Sequence, residues 1–358
     1  MTKFYPLRVC DIRRETPDTV SVAFEVPENL RDTFRFTQGQ HLTLRTEING
    51  EEVRRAYSIC TGTHEGDLRV AIKKVEGGVF GTFAHEQLKV GDTLESMPPL
   101  GHFYTELNPE NHNLYVAFVA GSGITPVMSI LKTTLAEEPH SRLILFYGNR
   151  GFDRIIFREQ LEELKNLHPD RLAVHHVLSR ESLGSDLFKG HIDGEKCRAY
   201  ARLLFRAEDV DAYFLCGPEE MIFSVKEVLE NLGVLPKKIH FELFTTSGAK
   251  KKAASAGTTA AQKDTFDASV TVVQDGTRFD FQLTSDGSTL LDAAMRAGAD
   301  LPFSCKGGVC STCKAKILEG EVEMEINYGL EPDEVAAGYV LTCQSHPKTK
   351  RVVVSFDA

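Results

Sequence analysis

Tryptophan is absent from this chain of 358 residues; that alone excludes nothing, but three other scarcities do. No apolar run reaches the roughly 20 residues that a membrane-crossing helix needs, so the chain is not expected to span a membrane. Positive charge is in the minority, with 41 Lys and Arg against 51 Asp and Glu, a formal net charge of −10. Such a balance argues against a nucleic-acid partner. Structural zinc usually takes two C-x2-C pairs, and the sequence holds a single one, Cys310 and Cys313. The opening residues, MTKFYPLRVCDIRRETPD, do not resemble a signal peptide. Disulfides are therefore not expected, and a cytoplasmic location is. With 42% hydrophobic and 26% charged residues, the composition is that of a globular chain of two or three domains.

What the chain does contain is a run of thiols. Cys305, Cys310, Cys313 and Cys343 form C-x4-C-x2-C with a distant fourth cysteine, in a loop reading CKGGVCSTC. That is the ligand spacing of a plant-type [2Fe–2S] cluster. Two irons bridged by sulfide need four thiolates, and one tight loop supplies three of them. Gly307 and Gly308 are expected to give the loop its unusual backbone angles and to bring amides near the sulfurs. The chain is thus expected to carry single electrons. Zinc and disulfides are the ordinary alternatives.

The segment Thr245–Thr265, TTSGAKKKAASAGTTAAQKDT, is polar and small and lacks apolar periodicity, so it is expected to be a flexible linker, residues 245–265. Beyond it, residues 266–358 carry 14 acidic and 8 basic side chains, an acidic module that basic surfaces would attract. SVTVVQ and RFDFQL are predicted to pair as a hairpin around Asp275-Gly276. TLLDAAMRAG is predicted to be a helix ending at Gly298. AKILEGEVEM is expected to form a second hairpin and RVVVSF a closing strand. The module resembles the plant-type ferredoxin fold, a small mixed α+β (β-grasp) sheet with one helix across it.

Residues 1–107 read as short alternating strands, LRVCDIRRE, TVSVAFEV, QHLTLRTEI, DLRVAIKKV and DTLESMP, which predict a small antiparallel β-barrel. Arg55-Ala56-Tyr57-Ser58 lies within it. An Arg can neutralise a pyrophosphate, a Tyr can stack on an isoalloxazine ring, and a Ser hydroxyl can reach the ring's N5 edge. Alone, these four residues suit an ordinary strand equally well. They are followed by GGVFGT, which opens a helix near Gly81-Thr82 whose N-terminus suits an anion.

From residue 108 to 244 buried strands alternate with helices, the pattern of an α/β domain with a parallel sheet. LYVAFVA runs into Gly121-Ser122-Gly123-Ile124-Thr125-Pro126. Gly121 and Gly123 permit close backbone approach to a diphosphate, Thr125 is expected to cap the next helix, and Pro126 suits its first turn. LILFYGNR, LAVHHVLSR and DAYFLCGP are further strands whose carboxyl ends face the nucleotide in such folds. Ser179-Arg180 offers a hydroxyl and a guanidinium for a ribose 2′-phosphate, although a solvated turn reads the same. Cys216-Gly217-Pro218, continued by Met221, ends another strand with a small polarizable side chain suited to border a nicotinamide.

RxYS, GSGITP and CGPxxM, in that order, make the first 245 residues resemble the ferredoxin–NADP reductase superfamily, and the fused ferredoxin narrows the resemblance to oxygenase-type reductases. RFTQGQHLTL, RRAYSIC, HIDGEK, ADLPFSCKGGVCSTCKAKILEG and YGLEPDEVAAGYVLTCQ are most similar to the reductase subunits of phenylacetyl-CoA epoxidases. This resemblance places Arg55, Tyr57 and Ser58 on FAD, with the helix near Gly81-Thr82 on its pyrophosphate. It places Gly121 to Pro126 on the NADPH diphosphate and Cys216 and Gly217 beside the nicotinamide. It gives Glu242 a proton-relay role and sets Phe244 over the flavin. Two departures stand out. Phe36-Thr37-Gln38-Gly39-Gln40 has Gln where the family has Pro, which predicts a less rigid turn. Gly81 also stands where the family often has Ser or Thr, which leaves FMN as an alternative to FAD.

The resemblance implies an NADPH-dependent reductase. A hydride would pass to the flavin, and electrons would then go singly through the cluster, with a potential of roughly −400 mV, to an oxygenase. The implied receiver is the di-iron catalytic subunit of a phenylacetyl-CoA epoxidase. A reductase for a Rieske-type oxygenase or another acceptor would share the flavin and cluster. A non-catalytic redox sensor would not need the hydride site.

Overall fold

The computed structural model describes residues 3–182, 184–244 and 265–358. The expected linker therefore lies, apart from Thr265, outside the described residues. The described part forms two compact units. One comprises Phe4–Val53 and Tyr57–Leu243; the other holds the described residues of 244–358 with Lys3 and Arg54–Ala56.

In the first unit, six strands build an antiparallel sheet: β1 (Tyr5–Thr16), β2 (Thr19–Glu25), β3 (His41–Ile48), β4 (Glu51–Ser58), β5 (Leu68–Lys73) and β6 (Thr93–Ser96), in the order β4-β3-β6-β1-β2-β5. Ile59, just past one edge strand, bridges Val70 on the other, and the Cys60 N–H donates to the Arg69 carbonyl at 2.9 Å. These links close the sheet into the expected barrel, which removes its open edges. Asn49 and Gly50, with φ of 57° and 81°, make the tight turn between β3 and β4, the left-handed pair such a hairpin requires. Leu7, Val9, Val22, Leu42, Leu44 and Ile72 fill the interior.

Helix α1 (Val79–Glu86) lies between β5 and β6. It starts two residues before the predicted Gly81. The reason lies in packing, because a Cβ on Gly81 would stand 2.8 Å from the Lys73 carbonyl oxygen. Glycine at the third helical position thus lets the helix settle on the end of β5.

The same unit continues into a five-stranded parallel sheet of β7 (Leu114–Ala120), β8 (Arg142–Asn149), β9 (Leu172–Leu178), β10 (Ala212–Cys216) and β11 (Ile239–Glu242), ordered β11-β10-β7-β8-β9. The strands read as continuous apolar runs because helices cover them. These are α2 (Ile124–Glu137), α3 (Arg158–Leu167), α4 (Gly194–Leu203) and α5 (Glu219–Asn231). Strand order reverses between β7 and β10, the place where open parallel sheets bind ligands at their carboxyl edge.

The second unit contains β12 (Asp267–Gln274), β13 (Thr277–Thr284), β14 (Lys314–Glu319), β15 (Val322–Met324), β16 (Tyr339–Leu341), β17 (Ser345–Pro347) and β18 (Arg351–Ser355), with α6 (Leu290–Arg296) and α7 (Pro332–Ala336). Asp275 and Gly276, at φ of 49° and 73°, turn β12 into β13 as predicted. Thr289 caps α6 by accepting from the Asp292 N–H at 3.3 Å, and Gly298 follows the helix at φ 96°. One expectation fails. AKILEGEVEM is not a hairpin: β14 pairs with β16 and β18, while β15 pairs with β17 in a separate two-stranded sheet. A Cβ on Gly320 would stand 2.1 Å from the Arg351 carbonyl, so the chain leaves β14 pressed against the start of β18. That last strand, in turn, runs through the middle of the sheet, between β12 and β14.

Candidate functional site

At one edge of the barrel β4 ends on Ser58, and β11 of the parallel sheet ends on Glu242. The buried Ser58 hydroxyl donates to Glu242 Oε2 at 3.3 Å. Parallel register sets Glu242 beside Cys216 at the end of β10. Removal from water pushes the Glu242 carboxyl up to about 8, against a smaller opposing effect of the Ser58 hydrogen bond. Near neutral pH it is mostly protonated, and it can pass a proton to the hydroxyl. Cys216 is raised first by burial and then by Glu242, so it stands there as a neutral thiol, a small polarizable wall rather than a nucleophile.

Arg55 is exposed and its guanidinium donates to the Arg54 carbonyl at 2.7 Å. Tyr57 is half-buried, its ring 5.3 Å from that of Phe80. Phe244, two residues past Glu242, is exposed. Thr82 turns inward along α1 and its hydroxyl donates to the Gly78 carbonyl at 2.8 Å. The first-turn amides of α1 have no side-chain cap, so they are the groups free to take an anion. The turn before β3 is anchored despite lacking proline. Gln38 is buried and its amide donates to the Thr105 carbonyl at 2.9 Å, while the Gln40 side chain accepts from the Thr37 N–H at 2.9 Å.

The glycine turn after β7 is shaped for close approach. Gly121 has φ 56°, and a Cβ on Gly123 would stand 2.2 Å from the Cys216 carbonyl oxygen. A Cβ on Gly217 would meet Met221 Cε at 2.6 Å, so β7 and β10 close on each other through glycines. Helix α2 begins at Ile124 with Gly123 as its cap and no side-chain capping bond. The expected cap does not form: Thr125 lies inside the first turn, buried, with its hydroxyl donating to the Ser122 carbonyl at 3.0 Å. Pro126 sits beside it in that turn. No side chain competes for the α2 amides, although the Ile124 N–H is bonded to the Gly121 and Ser122 carbonyls and Pro126 has no N–H.

At the ends of β8 and β9 the Ser179 N–H donates to the Asn149 carbonyl at 3.0 Å and the Arg180 N–H to the Arg150 carbonyl at 2.9 Å. Two exposed guanidiniums thus occupy neighbouring strand ends. Sequence reasoning singled out Arg180 and missed Arg150, although YGNR ends its strand as plainly as LSR does. Lys73 was missed as well. A Cβ on Gly121 would lie 3.8 Å from its Nζ, a proximity between a barrel strand and a distant turn that sequence does not signal.

In the second unit the four thiols fall into two pairs. Cys305 is lowered to about 6, first by its hydrogen bond with Cys310, and Cys343 is lowered first by that with Cys313; Cys310 and Cys313 are raised in turn. Four thiols grouped in two pairs suit two irons. Among the described residues no group of three or more His, Cys, Asp or Glu side chains is arranged to hold a single metal ion. Amides point at the sulfurs: Gly307 N–H donates to Cys305 Sγ at 3.3 Å and Cys305 N–H to Cys310 Sγ at 3.5 Å. The left-handed positions in the loop are Lys306, Gly308 and Ser311 at φ of 51°, 75° and 54°; Gly307 is not among them and contributes its N–H instead. The two sets of uncapped helix amides and this thiol nest fit the groups that the sequence implied.

Comparison with known proteins agrees. Residues 6–104 match the oxidoreductase FAD-binding domain family, residues 118–227 the oxidoreductase NAD-binding domain family, and residues 272–348 the 2Fe-2S iron-sulfur cluster binding domain family. Over 358 residues the chain is 47% identical to a subunit of the 1,2-phenylacetyl-CoA epoxidase of Escherichia coli (strain K12), covering 100% of this chain and 99% of that one. It is 34% identical to the ferredoxin reductase component of 3-ketosteroid-9-alpha-monooxygenase from Rhodococcus rhodochrous, covering 98% and 96%. The structure of phthalate dioxygenase reductase, described as modular for electron transfer from pyridine nucleotides to [2Fe-2S], superposes with a TM-score of 0.57 at 20% identity, covering 99% of this chain and 98% of that one; it shows the shared fold. FAD, NAD(P)H and a [2Fe–2S] cluster are thus the groups this oxidoreductase uses. No helix among the described residues is long and apolar enough to cross a membrane. The chain belongs to the ferredoxin reductase family of electron-transfer components, which join an FAD-binding barrel, an NAD-binding α/β domain and a plant-type ferredoxin in one polypeptide.

Proposed function

We propose that this reductase draws electrons from NADPH and delivers them, in the cytoplasm, to the oxygenase subunits of a phenylacetyl-CoA epoxidase. The single observation that carries the acceptor is 47% identity, end to end, with a component of such an enzyme. The eight cysteines are all free, which suits a reducing compartment. The domains run 1–107, 108–244 and 266–358 in this reading, with 245–265 as a tether.

When bound, the three groups supply the redox chemistry: hydride from the nicotinamide, two-electron capacity in the flavin and single-electron storage in the cluster. The chain's residues orient them. Arg55 and the first-turn amides of α1 around Gly81 and Thr82 hold the FAD diphosphate, and Tyr57 and Ser58 line its ring. Gly121, Gly123, Thr125 and Pro126 present the α2 amides to the NADPH diphosphate. Ser179 and Arg180, joined by Arg150, take the 2′-phosphate. Cys216 and Gly217, both small, border the nicotinamide. Glu242, neutral below about 8, would hold a proton at the Ser58 hydroxyl beside the flavin N5 edge, and its ionisation above that pH would set a negative charge against a ring that accepts hydride. Cys305, Cys310, Cys313 and Cys343 would hold the two irons of the cluster, which supplies the single-electron storage.

The test is an anaerobic visible spectrum before and after one equivalent of NADPH, followed by electron delivery to purified oxygenase subunits. Flavin and iron–sulfur bands that both bleach, with epoxidation of phenylacetyl-CoA restored by this chain, are expected. Bleaching without epoxidation, but with turnover of a Rieske-type oxygenase, would move the acceptor assignment to that class. Flavin bands without cluster absorption, even after anaerobic iron and sulfide reconstitution, would remove the reading of the four cysteines.

A further inference from the structure

We propose that Gln344 is a positioning residue for the iron–sulfur centre, one that ties the three-cysteine loop to the fourth cysteine and aims an N–H at the Cys343 sulfur. The inference rests on Cys305, Cys310, Cys313 and Cys343 being the cluster ligands. Gln344 is 7% exposed, and its amide nitrogen has three acceptors around it: the Lys306 carbonyl at 3.0 Å, the Cys343 carbonyl at 2.8 Å and Cys343 Sγ at 3.6 Å. The last separation suits sulfur, which is larger than oxygen. Two hydrogens shared among three acceptors make a forked arrangement, and the backbone holds it in place. The Glu325 N–H donates to the Gln344 carbonyl at 2.8 Å, and the next residue, Ser345, pairs with Met324.

The carbonyl that Gln344 takes belongs to Lys306, whose φ of 51° is uncommon for a side chain of that size. Such a conformation persists where surrounding contacts over-determine it. Here they come from two directions, since Lys306 Nζ also donates to Asp292 Oδ1 at 2.7 Å. Room for the glutamine stem depends on Gly308, where an added Cβ would lie 3.1 Å from Gln344 Cγ. One side chain therefore links the loop bearing three thiols to the 3-10 turn bearing the fourth, Lys306 and Gln344 being 38 residues apart in sequence. An N–H facing a ligand sulfur interacts more strongly with the reduced, more negative centre. Gln344 is expected to raise the cluster potential for that reason, beyond any part it plays in folding.

Gln344→Met keeps the length of the side chain and removes both N–H groups. With iron and sulfide content equal to wild type, the reduced-to-oxidised ratio of the cluster at a fixed potential should fall about tenfold, which is 59 mV for one electron. The flavin potential should stay where it is, as the internal control. A fully loaded variant with an unchanged cluster potential overturns the proposal. Pulsed EPR of reduced wild-type protein carrying ¹⁵N in its glutamine side chains decides the matter even if the variant fails to fold. A coupling from one amide nitrogen supports the proposal, and its absence overturns it. Wild-type protein that takes up no cluster at all removes the ligand reading, and this inference with it.

Discussion

His41 opens β3 with its backbone locked to Leu100, donating to that carbonyl at 2.8 Å and accepting from that N–H at 3.0 Å. The ring is 4% exposed and its Nε2 has no hydrogen-bond partner among the described residues. Burial, with a smaller repulsion from His102, lowers its pKa from 6.5 to about 4. In the unfolded chain the ring takes a proton near 6.5, whereas in the barrel it resists until about 4. Acid therefore favours unfolding across that window. Stability contributed by the neutral ring is whole above pH 6.5, falls by about 1.4 kcal/mol per pH unit on the way down to 4, and levels off below. The shift between those two values corresponds to roughly 3 kcal/mol in total.

The perturbation is His41→Leu, which cannot titrate. Urea unfolding of wild type and variant should be followed between pH 8 and pH 4 by the rise of flavin fluorescence on release, since the chain has no tryptophan to report. Every other titrating group, including the buried Glu242 whose shift runs the opposite way, is common to both proteins and cancels in the difference. The variant should gain relative stability steadily below pH 6.5, by roughly 3 kcal/mol at pH 4. Parallel stability curves over the whole range would refute the argument that a neutral His41 is trapped in the barrel.

Three further outcomes are expected. Gly123→Ala drives a methyl to 2.2 Å from the Cys216 carbonyl; a loss of roughly 1–3 kcal/mol in stability should accompany a collapse of NAD(P)H-dependent flavin reduction, read by stopped flow, while dithionite still reduces the flavin. Glu242→Gln should erase the alkaline limb of the pH profile for flavin reduction: wild type loses rate as pH rises through about 8, and the variant, having nothing to ionise there, should be slower but flat. Arg150→Ala and Arg180→Ala should each raise KM for NADPH about tenfold, as loss of one charge-assisted hydrogen bond does, with KM for NADH nearly unchanged; equal effects on both coenzymes would take these residues off the 2′-phosphate.

Elements governed by local pattern were legible in advance. The period-two strands of the barrel, the apolar runs of β7 to β10 and the Asp275-Gly276 hairpin all form where alternation and turn chemistry place them. Pairing partners were less legible. AKILEGEVEM carries two strand-like stretches around a glycine, which locally spells a hairpin, but β14 finds β16 and β18 instead. Register in a sheet is decided by the buried face, and that face is completed by residues far along the chain. Helix starts erred for a related reason. Gly81 and Thr125 look like first or capping residues, yet both lie within a turn begun earlier, because α1 settles on the Lys73 carbonyl and the Gly123 cap presses on that of Cys216.

The candidate site divides along the same line. Cys305, Cys310, Cys313 and the glycines between β7 and α2 announce themselves because their spacing along one loop is itself the chemical requirement. Ser58 and Glu242 stand 184 residues apart and meet at 3.3 Å; what made them readable was family resemblance, not any pattern in either segment. Lys73, Arg150 and Gln344 had neither advantage. Each sits beside a turn or strand end supplied by another element, and a lone Lys, Arg or Gln in such a place is indistinguishable in sequence from a solvated one. Gln344 differs from a solvated glutamine in a single respect, that burial leaves its amide no water to bond. Its three protein acceptors are then obligatory, and two of them belong to the residue that presents the fourth thiol.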